Sequence, residues 1–176
     1  VYKPRSLTMD LALNRWMEWL RDQGESAIPV LPNVVSRDGY GWAEFVECED
    51  VPSERDVARW FESAGVLLAA AFALMGSDLH AENVVAGAES PVLLDVETFL
   101  SPELTVARTS SPDQATAQGR VAAWVRSSFL STGLLTFLEE RDSGRVVDIG
   151  GLCGQVSRWV DGVRVTQKNE PRVQGR

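Results

Sequence analysis

Gly76-Ser77-Asp78-Leu79-His80-Ala81-Glu82-Asn83, followed after a short apolar run by Asp95-Val96-Glu97, is the stretch on which the reading of this chain turns. Asn83 stands five residues after Asp78, and Asp95 twelve residues after Asn83. That order and spacing suit phosphoryl transfer from a nucleotide. One carboxylate accepts the proton of an attacking hydroxyl, while an Asn oxygen and a second carboxylate hold Mg²⁺.

Working outward, Val57, Trp60, Phe61, Ala64, Leu67, Leu68, Ala71 and Leu74 recur at helical spacing and predict a helix over residues 54–75. Ser53 reads as its cap, with Asp56 in the capping-box position. The second half of this helix is nearly all apolar, which places it centrally. Beyond the loop, residues 83–86 and 92–94 are short apolar runs joined by Gly87-Ala88-Glu89-Ser90-Pro91, a hairpin of small strands. The hairpin folds Asp95 back beside the loop, and the two-residue period of a strand puts Glu97 on the same side as Asp95. Two carboxylates on one face are costly unless a cation lies between them, and Mg²⁺ would resolve that cost. Any one Asp or Asn here is also at home in a turn; the joint order points to a site. His80, the single histidine, is a candidate to orient Asp78 or a phosphate oxygen, or to act as acid or base.

Toward the N-terminus, Lys3 at a strand end just before a helix is the candidate phosphate-binding lysine. Leu7, Leu11, Asn14 and Glu18 share one stripe of a helix predicted over residues 8–23, which makes Glu18 the candidate ion-pair partner of Lys3. Arg5 is a second group that would face phosphates. Residues 28–35 read as an edge-like strand interrupted by Pro29 and Pro32. Asp38-Gly39 is a hairpin turn, and residues 42–46 form the returning strand. Residues 45–48 fall where a hinge would offer backbone groups to an adenine ring. Residues 100–117, rich in Ser, Thr and Pro, read as a long loop. Helices are predicted over 118–129 and 133–140, and strands over 145–149 and 156–165 with an Asp161-Gly162 turn.

The chain has 176 residues, 44% of them hydrophobic, enough for one domain with a real core, in two small lobes. A formal net charge of -8 shows no basic patch of the kind a nucleic-acid binder carries. Residues 65–76, the longest apolar stretch, are too few to span a bilayer. Cys48 and Cys153 form neither a metal pattern nor a disulfide framework and read as free thiols of a reduced cytoplasm. No G-x-x-x-x-G-K-[ST] loop is present, and Val96-Glu97 follows Asp95 where protein kinases have Phe-Gly. The chain reads as a fragment of something larger.

Val1-Tyr2-Lys3-Pro4-Arg5, Gly41-Trp42-Ala43-Glu44-Phe45-Val46-Glu47, the loop at 76–83 and Leu94-Asp95-Val96-Glu97-Thr98 together resemble the dehydratase domain of class II lanthionine (lanthipeptide) synthetases, the LanM type. The resemblance extends to Ser131-Thr132-Gly133-Leu134-Leu135 and to Gly150-Gly151-Leu152. It implies an α+β fold with a lipid-kinase-like, protein-kinase-like core. Residues 1–50 would be a partial N-lobe with the phosphate-binding lysine and hinge. Residues 51–176 would be a helical C-lobe with catalytic loop, metal site and activation-loop-like segment. It implies that Ser and Thr of a ribosomal precursor peptide are phosphorylated by ATP and Mg²⁺, and that the phosphate is then eliminated to give dehydroalanine or dehydrobutyrine. A C-terminal cyclase domain with zinc would follow. Carried over by motif, Lys3 binds phosphates, with Glu18 as its partner. Asp78 and His80 are catalytic, and Asn83, Asp95 and Glu97 hold the metal. Where the family carries Arg before Thr-Gly, this chain has Ser131. A small-molecule kinase of the aminoglycoside-phosphotransferase kind and a non-catalytic peptide-binding module are the alternatives.

Overall fold

The structure, a computed structural model, describes residues 1–100, 116–140, 144–160 and 163–175. Helices and small antiparallel sheets alternate: β1 (Tyr2–Lys3), α1 (Thr8–Asp22), β2 (Val34–Arg37), β3 (Tyr40–Ala43), α2 (Glu54–Ala73), β4 (Val84–Ala86), β5 (Pro91–Leu93), α3 (Ala117–Arg126), a 3-10 turn (Phe129–Thr132), β6 (Leu138–Glu140), β7 (Val146–Asp148), β8 (Gln155–Val160) and β9 (Val163–Lys168).

The first three strands form one sheet in the order β1-β3-β2, with Lys3 opposite Gly41 and Tyr2 opposite Trp42. Gly41 lets this sheet close onto Leu7, which is fully buried; a Cβ there would meet the Leu7 side chain at 2.6 Å. α1 buries Leu13 and Met17, and α2 buries Trp60, Ala64, Leu67, Ala70 and Ala71. These residues join one apolar cluster with Val84, Leu93, Phe99, Leu134 and Leu152. Burial of apolar area at this scale is the main favourable term of folding. Both strands of the hairpin β4-β5 are buried, and the Trp60 indole N–H donates to the Gly87 carbonyl at its turn, 3.0 Å.

A buried polar strut ties the far end of the chain to this hairpin. Asn169, 2% exposed, accepts from the Ala86 N–H at 3.0 Å and donates to the Val84 carbonyl at 2.9 Å and to the Gly151 carbonyl. Such a side chain can stay inside because every polar group on it is partnered.

Four expectations are corrected. Residues 28–33 make no strand; pairing begins at Val34, because Pro29 and Pro32 have no N–H to give to a ladder. The returning strand is Tyr40–Ala43 and not 42–46. Residues 133–140 are not a helix: Gly133 leaves the 3-10 turn at φ +81°, and Leu138–Glu140 pairs antiparallel with Val146–Asp148. Ser53 does sit at the N-cap of α2, but its hydroxyl donates to the Asp56 carboxylate at 2.6 Å and accepts nothing from the backbone. The strands expected over 145–149 and 156–165 are found as β7 and the hairpin β8-β9; their Asp161-Gly162 turn, like most of the loop at 100–117, lies outside the described residues.

Candidate active site

The loop begins where α2 runs out. Met75 takes φ +53° and Asp78 φ +61°, a left-handed conformation that Asp tolerates better than most residues. Gly76 packs against the Phe99 ring, where a Cβ would come within 2.9 Å. From there side chains alternate. Leu79 and Ala81 point into the core, each 1% exposed, while Asp78, His80 and Glu82 face outward.

Two glycine turns hold this loop from behind. The Leu79 N–H donates to the Thr132 carbonyl at 3.0 Å, the Ala81 N–H donates to the Ile149 carbonyl at 2.9 Å, and His80 pairs antiparallel with Gly150. Gly133 lies against the Leu79 backbone, and a Cβ on Gly151 would overlap the Leu79 carbonyl oxygen. The Thr132-Gly133 and Gly150-Gly151 segments, quoted above only as part of a resemblance, thus form the clasp of the loop. Nothing in their local sequence announces this, because the contact is tertiary.

Within the loop the polar groups orient one another. The Asn83 side-chain NH₂ donates to the Asp78 carbonyl at 2.8 Å, so the side chain is held through its nitrogen and not its oxygen. The Leu94 N–H donates to the Asn83 carbonyl at 2.8 Å, and that ladder bond brings Asp95 alongside Asn83. His80 Nδ1 accepts from the Glu82 N–H at 3.3 Å, which in the neutral ring assigns the proton to Nε2, 3.5 Å from both Asp78 Oδ1 and the Asn83 side-chain nitrogen. Thr98 closes the ring of contacts. Its hydroxyl accepts from the Ser77 N–H and donates to the Ser77 carbonyl.

Asp78, His80, Asn83, Asp95 and Glu97 line one open cavity of about 270 Å³. Two cations pair with the carboxylates of this lining. Lys3 Nζ is 3.2 Å from Asp95 Oδ2 and 3.3 Å from the Leu94 carbonyl. Arg5 reaches Asp95 Oδ1 at 2.7 Å, Asp10 Oδ2 at 2.9 Å and Glu97 Oε2 at 3.3 Å. Burial works against the Arg5 charge, but the hydrogen bond and field of Asp10, with those of Asp95 and Glu97, outweigh it and push the guanidinium above its ordinary range.

Glu18 is not brought to the site. It is exposed, and the ammonium of Lys3 goes to Asp95. The reason lies in the helix phase. The buried stripe of α1 runs through Leu13 and Met17, one position off the stripe that contains Glu18, and the acidic residue it carries toward the site is Asp10. Sequence reasoning passed over Asp10; its place three residues before Leu13 was the available signal. The expected hinge residues Phe45, Val46 and Glu47 line a separate, larger cavity of about 510 Å³ facing the β4-β5 turn, with Phe45 70% exposed.

Among the described residues no group of three or more His, Cys, Asp and Glu is arranged to hold a metal. Asn83 and Asp95 are of the donor types Mg²⁺ takes, a neutral oxygen and a carboxylate, with waters and phosphate oxygens ordinarily completing its shell. No helix among the described residues is long and apolar enough to cross a membrane.

Two comparisons with known proteins bear on this site. The chain is 29% identical over 146 residues to the lacticin 481/lactococcin biosynthesis protein LcnDR2 of Lactococcus lactis subsp. lactis. The match covers 78% of this chain but 15% of that protein, so the chain spans a small part of the length of its relative. The family model described as Domain of unknown function (DUF4135) matches residues 1–174, which takes in both glycine turns, the loop they clasp and the two cations. The chain therefore belongs to the DUF4135 family.

Proposed function

We propose that this chain is the phosphoryl-transfer core of a lanthipeptide dehydratase, with a lipid-kinase-like or protein-kinase-like arrangement of its elements, acting in lantibiotic biosynthesis on Ser and Thr of a ribosomal precursor peptide. The observation that carries the reading is the convergence of Asp78, Asn83 and Asp95 on one cavity, with Lys3 paired to Asp95. The relationship to a lacticin 481 biosynthesis protein supports the peptide substrate. A C-terminal cyclase domain in the same polypeptide belongs to this reading.

In the proposed reaction Asp78 accepts the proton of the Ser or Thr hydroxyl as its oxygen bonds to the terminal phosphorus of ATP and ADP departs. The His80 Nε2–H faces the Asp78 carboxylate and holds it toward the hydroxyl. Asn83 and Asp95, with Glu97 beside them, would hold Mg²⁺, which neutralises phosphate charge when bound. Lys3 and Arg5 supply positive charge for the phosphates. The elimination half removes the α-proton and the phosphate from the phosphorylated residue; its base is not assigned to any residue.

The test uses the intact protein, its precursor peptide, ATP and Mg²⁺. Mass spectrometry of the peptide should show phosphorylation and water loss with the wild type, and neither with Asp78→Ala or Asp95→Ala. Undiminished water loss in both variants would sink the proposal.

A further inference from the structure

The two carboxylate oxygens of Asp95 are both engaged by protein cations, Oδ1 by Arg5 and Oδ2 by Lys3. Arg5 Nε also lies 3.3 Å from Glu97 Oε2, an ion-pair contact without a hydrogen bond. One guanidinium thus spans the same two side chains that the proposed function gives to a divalent cation. It comes from a different part of the chain, ninety residues from Asp95 in sequence. Its NH1 is held at the same time by Asp10 in the first turn of α1. Asp10 is the less exposed carboxylate of the set, at 11% of its side chain against 24% for Asp95 and 61% for Glu97. Arg5 therefore keeps an anchored partner when it lets go of the other two.

We propose that Arg5 is a built-in competitor of the divalent cation. In the ligand-free protein it closes over Asp95 and Glu97. Metal binding requires it to release both, and nucleotide phosphate, offering new anionic partners on the same side, favours that release. The inference rests on the assignment of Asp95 to the metal in the proposed function. Its consequence is coupling. Metal alone binds weakly, metal binds better once nucleotide is present, and by reciprocity nucleotide binds better once metal is present. A group with no differential contact between the two states would give no such coupling.

Mn²⁺ serves as the probe, followed by electron paramagnetic resonance on the intact protein with and without a non-hydrolysable ATP analogue. Arg5→Met should tighten Mn²⁺ binding in the absence of nucleotide by about tenfold, the scale of one charge-assisted hydrogen bond no longer competing. Nucleotide should then enhance Mn²⁺ binding less in this variant than in the wild type. Arg5→Lys, which keeps the charge but loses the fork that reaches both carboxylates, should lie between the two. Circular dichroism melting confirms that each variant is folded, and Arg5→Lys answers the question if Arg5→Met is not. Unchanged or weaker Mn²⁺ binding in Arg5→Met, with binding still lost in Asp95→Asn, overturns the inference and leaves the proposed function standing. Mn²⁺ binding indifferent to Asp95→Asn overturns both.

Discussion

The loop at residues 76–83 lines the cavity, the cationic rim at Lys3 and Arg5 joins it through Asp95 and Glu97, and the two are held by different forces. The loop is fixed by main-chain hydrogen bonds to Thr132 and Ile149 and by glycine turns too close to admit a Cβ. The rim is held by side-chain ion pairs to Asp95, Asp10 and Glu97, at partly exposed positions. Main-chain contacts behind buried Leu79 and Ala81 are shielded from water and insensitive to salt. Ion pairs that reach solvent are screened by salt, and the one to Glu97, 61% exposed, is individually weak. One half of the site is thus fixed through the main chain and the other through side chains.

The predictions run along that contrast. Asn169→Ala should have the largest effect on the main-chain half. It strips partners from the buried Val84 and Gly151 carbonyls and the Ala86 N–H, at about 3 kcal/mol. Chemical denaturation checks this, and a cost below about 1 kcal/mol would mean that the strut is not what holds the hairpin. Gly151→Ala follows, at about 2 kcal/mol, because the added methyl must displace the Leu79 backbone. Phosphoryl transfer should fall with it even at temperatures where the variant remains folded.

On the side-chain half, Lys3→Met should cost about 1 kcal/mol or less in stability, although under the proposed function it removes a charge that faces phosphate. Denaturation and nucleotide titration of the same variant separate the two effects. If stability fell as far as in Asn169→Ala, the contrast between the halves would be broken. The smallest effect belongs to Glu18→Gln. The side chain is exposed and away from Lys3, so melting temperature and nucleotide binding should both match the wild type.

The same contrast explains what could be read from the sequence. α2 and the hairpin β4-β5 were legible because their apolar periodicity reflects burial in one continuous core, and Asp78, Asn83 and Asp95 were legible because they flank those elements at short range. Glu18 was misplaced because two neighbouring stripes of α1 are both partly apolar; only packing against the sheet shows that Leu13 and Met17 face inward. Leu134, Leu135 and Leu138 mimic a helical spacing, yet the left-handed Gly133 and the pairing with β7 make that segment a turn and a strand. The clasp at Gly133 and Gly151 and the strut at Asn169 were invisible, since each acts on a partner far along the chain. Arg5 was read as a phosphate ligand, and its grip on Asp95 could be found only once residues ninety apart were seen side by side.

The most direct test of the central claim is transfer of label from terminally labelled ATP to the precursor peptide by the intact protein and by its Asn83→Ala variant, each shown to be folded. The account predicts labelled peptide with the wild type and a loss of at least about a hundredfold with Asn83→Ala. Equal labelling by the two proteins would contradict the placement of phosphoryl transfer at this loop.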